Sequence, residues 1–378
     1  MSIYTDDGYE IPWMDWIVDN YIDKNTILLG PTKSGKTYII KAILYLLRQL
    51  IPNVLLVAPK TTQVQYVGLI PEICMLEDLT KDRMEKLWKR QEDAKQAYDI
   101  ANDMPTLESV FRKCNDRQGL ILVEAIKKAS STRIDKIERD PNIEFNAKKT
   151  QRSLIEALSK KKMLEIYKKS IRTYREALLK SPHLSIREKI AVEFLDFNPR
   201  LLFIIDDCSE MFSNWHAMFP KGKSVNVFEC IFFRGRWAMI TMIIAAHDDT
   251  YLKPGMRKNA SNIIWTHTTS LGAYINRPNS GFSLQDKKLM AKVGDRVFTP
   301  EVAQGKMTDT LQKMVYTRVT APAYRYTIAE VHDDFKFGST KLWEADAKMP
   351  RKEADLEQNQ FLKKEYVKPK PRAKFKRD

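Results

Sequence analysis

Eight consecutive residues, Gly30-Pro31-Thr32-Lys33-Ser34-Gly35-Lys36-Thr37, set two glycines, a lysine and a hydroxyl at the G-x-x-x-x-G-K-[ST] spacing. The chemistry this spacing suits is phosphate binding. The glycines let backbone N–H groups turn inward around phosphate oxygens, and a helix starting at the end of the loop adds its partial positive charge. Lys36 is expected on the β- and γ-phosphates of ATP and Thr37 on Mg2+, with Gly30 to Thr37 together forming the nucleotide cradle. The structural alternative is a glycine turn that merely opens a helix.

Such a site needs an acidic partner at the tip of a neighbouring strand, and Leu201-Leu202-Phe203-Ile204-Ile205-Asp206-Asp207 supplies two. Carboxylates at the end of an apolar strand are costly to bury unless a cation or hydrogen bonds offset them, which argues for a metal ion and a water. Asp206 is expected to be the metal partner and Asp207 the residue that orients or activates the attacking water. Asp207 could instead serve only as the N-cap of the following helix. These groups still leave the charge on a transferred phosphoryl incompletely neutralised. An arginine from a neighbouring subunit commonly completes it, at a gain of roughly 10³ to 10⁵ in rate. Arg257, just after the Pro254-Gly255 turn, is the first candidate. Arg236 is second, because Arg234-Gly235-Arg236 precedes a strand and would face the opposite end of the sheet. Arg257 has a local alternative, pairing with Asp248 or Asp249 to hold a loop.

The elements that must position these groups follow from hydrophobic patterning. Residues 26–30 form a short apolar run closed by glycine, and Ile39, Ile43 and Leu47 then recur at helical spacing, which predicts strand, loop and helix. Residues 53–58 (NVLLVA) are continuously apolar and closed by Pro59, as expected for a parallel strand buried on both faces. Residues 201–205 and 239–246 repeat the signature, and residues 262–267 do so more weakly. Buried strands alternating with helices predict an α/β parallel sheet, here the P-loop NTPase core of the ASCE or RecA-like kind.

Between the second and third strands lies a stretch too long for a structureless loop in a compact domain. It is highly charged and carries a single glycine, Gly119. Within it Leu164, Tyr167, Ile171, Tyr174 and Leu178 place one apolar stripe along a helix ended by Pro182. The reading is a core in two parts, residues 1–76 and 200–335, a helical insertion over 77–199, and a tail over 336–378. A hairpin is expected from residues 314–317 and 324–330. The last residues, with Lys368, Lys370, Arg372, Lys374, Lys376 and Arg377 among prolines, read by composition as a disordered basic tail suited to phosphate contact.

Composition bounds the function classes. With 378 residues and 43% hydrophobic content the chain can bury a sizeable core. Its first thirty residues are acidic (Asp6, Asp7, Glu10, Asp15, Asp19) and do not read as a signal peptide. The apolar run over residues 238–246 is less than half of the roughly 20 residues a spanning helix needs. A soluble, intracellular protein without a membrane partner is expected. Cys74, Cys114, Cys208 and Cys230 lie far apart with no C-x-x-C pair, which supports neither a zinc site nor a disulfide framework. A formal charge of +15 points to a polyanionic partner, with solubility as the plainer alternative.

Over residues 24–75 and 200–270 the chain resembles the poxvirus-type genome-packaging ATPases of large DNA viruses, within the FtsK/HerA division of P-loop motors. The resemblance rests on Gly30 to Thr37, on Tyr66-Val67-Gly68-Leu69-Ile70-Pro71, on Ile204-Ile205-Asp206-Asp207-Cys208, on Arg234-Gly235-Arg236-Trp237 and on the segment from Leu252 to Asn259. It implies an ATPase that drives double-stranded DNA into a preformed capsid, as a pentameric or hexameric ring working with capsid portal or vertex proteins. It also implies a location in the host cytoplasm or at the assembling virion. It favours Arg236 as the arginine acting between subunits. Where the family usually carries Gln or Asn at the tip of the fourth strand to sense the γ-phosphate, this chain has Ala246-His247-Asp248, which makes His247 the sensor candidate. The competing readings are a cellular or plasmid FtsK/HerA-like DNA pump, a terminase-type motor, and, from another class, an ATP-binding assembly switch with little turnover.

Overall fold

The structure, a computed structural model, describes residues 2–8, 10–12, 16–217, 226–278, 280–298, 302–303, 306–307, 312–317 and 326–330. It divides into two compact units, residues 1–91 with 199–378, and residues 92–198.

In the first unit a short antiparallel pair, β1 (Ser2–Tyr4) and β2 (Glu10–Pro12), precedes β3 (Asn25–Leu29), which leads through the phosphate loop into α1 (Lys36–Leu47). After α1 come β4 (Asn53–Val57), the single turn α2 (Lys60–Gln63), β5 (Met75–Leu76) and α3 (Lys81–Ala101). The division between the units falls at Gln91, whose buried Nε2 donates to Pro199 O at 2.6 Å and to Ala238 O at 2.8 Å.

The second unit consists of α4 (Met104–Lys113), α5 (Arg117–Arg139), α6 (Phe145–Thr173), α7 (Arg175–Lys180) and α8 (Ile186–Glu193), together with the C-terminal part of α3. Leu107, Val110, Phe111, Tyr167, Ile171, Leu178 and Val192 form its core. The single stripe expected to run from Leu164 to Leu178 is divided in fact: α6 ends at Thr173, and the backbone of Tyr174 (φ −101°, ψ 13°) leaves the helical region before α7 begins. Tyr167, Ile171 and Leu178 are buried, whereas Tyr174 is exposed at the break.

The chain returns through β6 (Leu201–Asp206), α9 (Met211–Ala217), α10 (Val227–Arg234), β7 (Ile240–Ala246), α11 (Pro254–Asn259) and β8 (Asn262–Trp265). It continues with α12 (Thr268–Asn276), α13 (Leu284–Phe298), the small pair β9 (Val302–Ala303) and β10 (Lys306–Met307), and a hairpin of β11 (Gln312–Thr317) and β12 (Tyr326–Glu330). The main sheet has the order β12-β11-β8-β3-β7-β6-β4-β5, parallel except for β11 and β12.

Apolar residues cover both faces of this sheet. On β6, Leu201, Phe203 and Ile205 join one core layer and Leu202 and Ile204 the other; on β7, Met242 and Ile244 oppose Ile243 and Ala245 in the same way. Burial on two faces is why these strands are apolar at every position rather than at alternate ones. The order also places β7 between the phosphate-loop strand and the acidic strand, so all three strand tips meet at one edge.

Candidate functional site

The phosphate loop leaves β3 at Gly30, whose N–H donates to Ala246 O at 3.3 Å. Lys33 (φ 64°) and Gly35 (φ 87°) both take the left-handed backbone that bends the loop back toward α1. Gly30 admits no side chain: a Cβ there would lie 1.8 Å from Thr266 Oγ1 and 2.7 Å from Ser34 Oγ. Those two hydroxyls lie 2.5 Å apart, and Ser34 Oγ also donates to Pro31 O at 2.7 Å, tying the loop to the tip of β8. Pro31, Thr32 and Lys33 are exposed at the crest.

Lys36 is 7% exposed, and its ammonium donates to Gly30 O at 2.7 Å and Pro31 O at 2.8 Å. Burial lowers its pKa, while the charges of Asp206 and Asp207 act in the opposite direction. Thr37 Oγ1 donates to Asp206 Oδ2 at 3.1 Å, and the Tyr66 hydroxyl donates to the same oxygen at 2.7 Å. Asp206 is almost wholly buried, and burial pushes its carboxyl above the usual range; the hydrogen bonds from Tyr66 and Thr37 and the charge of Lys36 limit that rise. Burial and the neighbouring Asp206 likewise push the Tyr66 hydroxyl well up, so it stays a donor.

Asp207 has φ 62°. This conformation is costly for a residue with a side chain, and it turns two successive carboxylates in different directions. Asp206 faces Thr37, whereas Asp207 receives Thr62 Oγ1 at 3.1 Å and lies 2.5 Å from His247 Nε2. Helix α9 begins only at Met211, four residues further on.

His247, at the tip of β7, occupies the gap between the two neighbouring strand tips. Its Nδ1 lies 3.5 Å from Lys36 Nζ, and its backbone N–H donates to Ser209 Oγ at 3.2 Å. An ammonium can only donate, so these partners assign the tautomer: Nδ1 accepts from Lys36, and Nε2–H donates to Asp207. A line of contacts thus runs from Lys36 through His247 and Asp207 to Thr62.

The two arginines have different settings. Arg257 is 6% exposed, and its Nη1 donates to Asp249 O at 2.7 Å and Leu252 O at 2.9 Å and lies 3.4 Å from Asp249 Oδ2. These are the contacts of the loop-holding alternative. Arg236 lies before β7, at the other end of the strand from His247. It is exposed, with its guanidinium 5.4 Å from the Trp237 ring centroid. Of the groups singled out in the sequence, Lys36, Thr37, Asp206, Asp207 and His247 therefore converge, and Arg236 and Arg257 stand apart from them. Tyr66, Thr62, Ser209 and Thr266 complete the cluster without having been predicted there. Only Tyr66 carried a signal, as part of the motif following β4.

Mg2+ at phosphoryl-transfer sites takes one or two protein ligands and completes its shell with phosphate oxygens and water. The adjacent hydroxyl of Thr37 and carboxylate of Asp206 fit that donor set. Among the described residues, no helix is long and apolar enough to cross a membrane. The basic tail lies outside the described residues.

No family model matches the chain. It is 28% identical over 360 residues, 90% of its length, to uncharacterized protein B354L of African swine fever virus (isolate Warthog/Namibia/Wart80/1980), of which the match covers 92%. Among solved structures it is similar to the genome packaging NTPase B204 of Sulfolobus turreted icosahedral virus 2 in complex with ATP-gammaS. That match has 14% identity and a TM-score of 0.33, covering 82% of this chain and 98% of that one. It is also similar to the pCW3 conjugation coupling protein TcpA with ATPgS, at 13% identity and a TM-score of 0.35, covering 89% of this chain and 73% of that one. The phosphate loop between β3 and α1, the acidic tip of β6 and the strand inserted between them give this chain the α/β P-loop NTPase fold.

Proposed function

We propose that this protein is an ATP-driven translocase that packages viral double-stranded DNA into a capsid. The observation that carries the reading is the meeting of Lys36, Thr37, Asp206, Asp207 and His247 at the carboxyl edge of one parallel sheet, a set that supplies the phosphate-binding, metal-binding and water-orienting groups of a phosphoryl-transfer site. Lys36 holds the β- and γ-phosphates of ATP in the cradle of Gly30 to Thr37. Thr37 and Asp206 hold Mg2+, which neutralises charge on the phosphates. Asp207 orients the attacking water and accepts its proton. His247, bonded to Asp207 on one side and Lys36 on the other, senses whether a γ-phosphate is in place. A second carboxylate turned toward a histidine favours turnover over an assembly switch, since nucleotide binding alone needs no water-orienting group.

The DNA and capsid parts of the proposal rest on other support. The formal charge of +15 suits a phosphate backbone, the motifs resemble those of packaging motors, and a viral relative matches over nearly the whole chain. In this reading the protein acts as a ring at a capsid portal or vertex, with the basic tail and the 77–199 insertion available to DNA or capsid. An arginine, Arg236 before Arg257 given their exposures, completes the neighbouring subunit's site. The test is ATP turnover with and without duplex DNA. Turnover should rise with DNA, vanish in Lys36→Ala, and fall by orders of magnitude in Asp207→Asn while nucleotide stays bound. Wild-type turnover in Asp207→Asn would remove that residue from the chemistry, and a rate indifferent to DNA would refute the motor.

A further inference from the structure

One buried cation near the site has no role in the account above. Lys313 sits on β11 and is 7% exposed. Its side chain runs to the phosphate loop: a Cβ built on Gly35 would lie 3.4 Å from Lys313 Cε and 3.8 Å from its Nζ. Gly35 is the second glycine of the loop and the N-cap of α1. The lysine therefore passes beside the point where inward-turned N–H groups and the helix start favour an anion.

The direction of β11 explains how it gets there. Strands β3, β6, β7 and β8 are parallel, so they bring their carboxyl ends to the nucleotide edge. β11 pairs with β8 antiparallel, with Met314 opposite Trp265. Lys313, one residue earlier, thus lies level with Thr266, past the carboxyl end of β8. The sheet order fixes its side as well. Asp206 and Asp207 approach the loop strand from the β7–β6 flank, whereas Lys313 approaches from the β8–β11 flank. With Thr37 and Asp206 placing the metal and the γ-phosphate end toward β6, a cation on the opposite flank meets the α- and β-phosphates.

We propose that Lys313 is a second phosphate-binding lysine, supplied within the same chain by the C-terminal hairpin, that contacts the α- and β-phosphates of the nucleotide. The inference rests on the nucleotide reading of the loop. It predicts that Lys313 acts on binding of the diphosphate part, common to ATP and ADP, and not on the chemical step. The aliphatic stem of Lys313 could equally serve only to cover Gly35, and Lys313→Met keeps that stem while removing the charge.

Equilibrium binding of ADP and of ATP to the full chain, with KM and kcat for ATP, separates these cases. Lys313→Met should weaken ADP and ATP alike by about 10-fold and raise KM to match, with kcat at saturating ATP within about twofold of wild type. Lys313→Arg, which restores the charge, should recover most of the loss. Unchanged ADP affinity in Lys313→Met overturns the proposal, as does a loss that Lys313→Arg does not recover while the variant unfolds at the wild-type temperature. A wild-type chain that binds neither nucleotide would refute the proposed function itself, an outcome distinct from normal binding by both wild type and Lys313→Met.

Discussion

Tyr66→Phe isolates one hydrogen bond. The Tyr66 hydroxyl is buried and donates at 2.7 Å to Asp206 Oδ2, an oxygen that among the described residues receives one other donor, Thr37 Oγ1 at 3.1 Å. Phenylalanine keeps the ring in the core layer that also holds Ile39, Ile43 and Val54. A hydrogen bond to a charged group is worth about 1.5–3 kcal/mol. Losing a partner that orients a metal-holding carboxylate typically costs roughly 10- to 100-fold in metal affinity, so Asp206 should hold its ligand more weakly by that factor. The Mg2+ role proposed for Asp206 makes this measurable as ATP turnover against free Mg2+. The half-saturating concentration should rise by that factor, while turnover at saturating Mg2+ and nucleotide binding without Mg2+ stay near wild type. A Tyr66→Phe chain with the wild-type Mg2+ curve would refute the reasoning and leave Tyr66 as a packing residue.

Gly30→Ala should abolish nucleotide binding because its Cβ would collide with Thr266 Oγ1, and Thr266→Ala in the same chain should restore part of it, as read by equilibrium binding. If Arg236 acts between subunits, Arg236→Ala chains mixed with Lys36→Ala chains should recover turnover that neither mutant shows alone. Arg257→Ala chains in the same mixture should not, their main defect being a lower unfolding temperature from three lost contacts to Asp249 and Leu252. Burial alone would push the Glu188 carboxyl up, but bonds from Lys113, Ser185 and Ser109 outweigh it and bring it from an ordinary 4.5 to about 2. The stability this gives is full above pH 4.5 and lost as pH falls toward 2; it is at most about 3 kcal/mol. Unfolding of Glu188→Gln should lack that acid dependence, and a slope equal to wild type would rule the linkage out.

Sequence patterning was most informative where burial is two-sided. The continuous apolar runs of β6 and β7 announced strands covered on both faces, and the acidic end of β6 announced which edge carries chemistry. The phosphate loop was legible because its glycines answer a local backbone demand, seen at Gly30 and in the positive φ of Gly35. Thr62, Thr266 and Lys313 were not, since they meet the site from distant segments that only the sheet order brings together, and Tyr66 was marked by its motif but not its bond to Asp206. The break at Tyr174 was hidden for another reason: the apolar spacing continues through it, so periodicity registers no interruption. For Arg257 the competing readings differ only in where one side chain points, which spacing does not encode.

The bond from Gln91 to Pro199 means that residues 92–198 depart from the first unit and return to it at nearly the same place. Closing a loop at a point already pinned costs little more as the loop lengthens, about 0.6 kcal/mol for each doubling. The β4-to-β6 crossover is therefore where this architecture tolerates gain and loss of material at small thermodynamic expense. Length variation among related chains is expected to collect there, and two or three glycines joining residue 91 to residue 199 should suffice to carry the chain from one strand to the next.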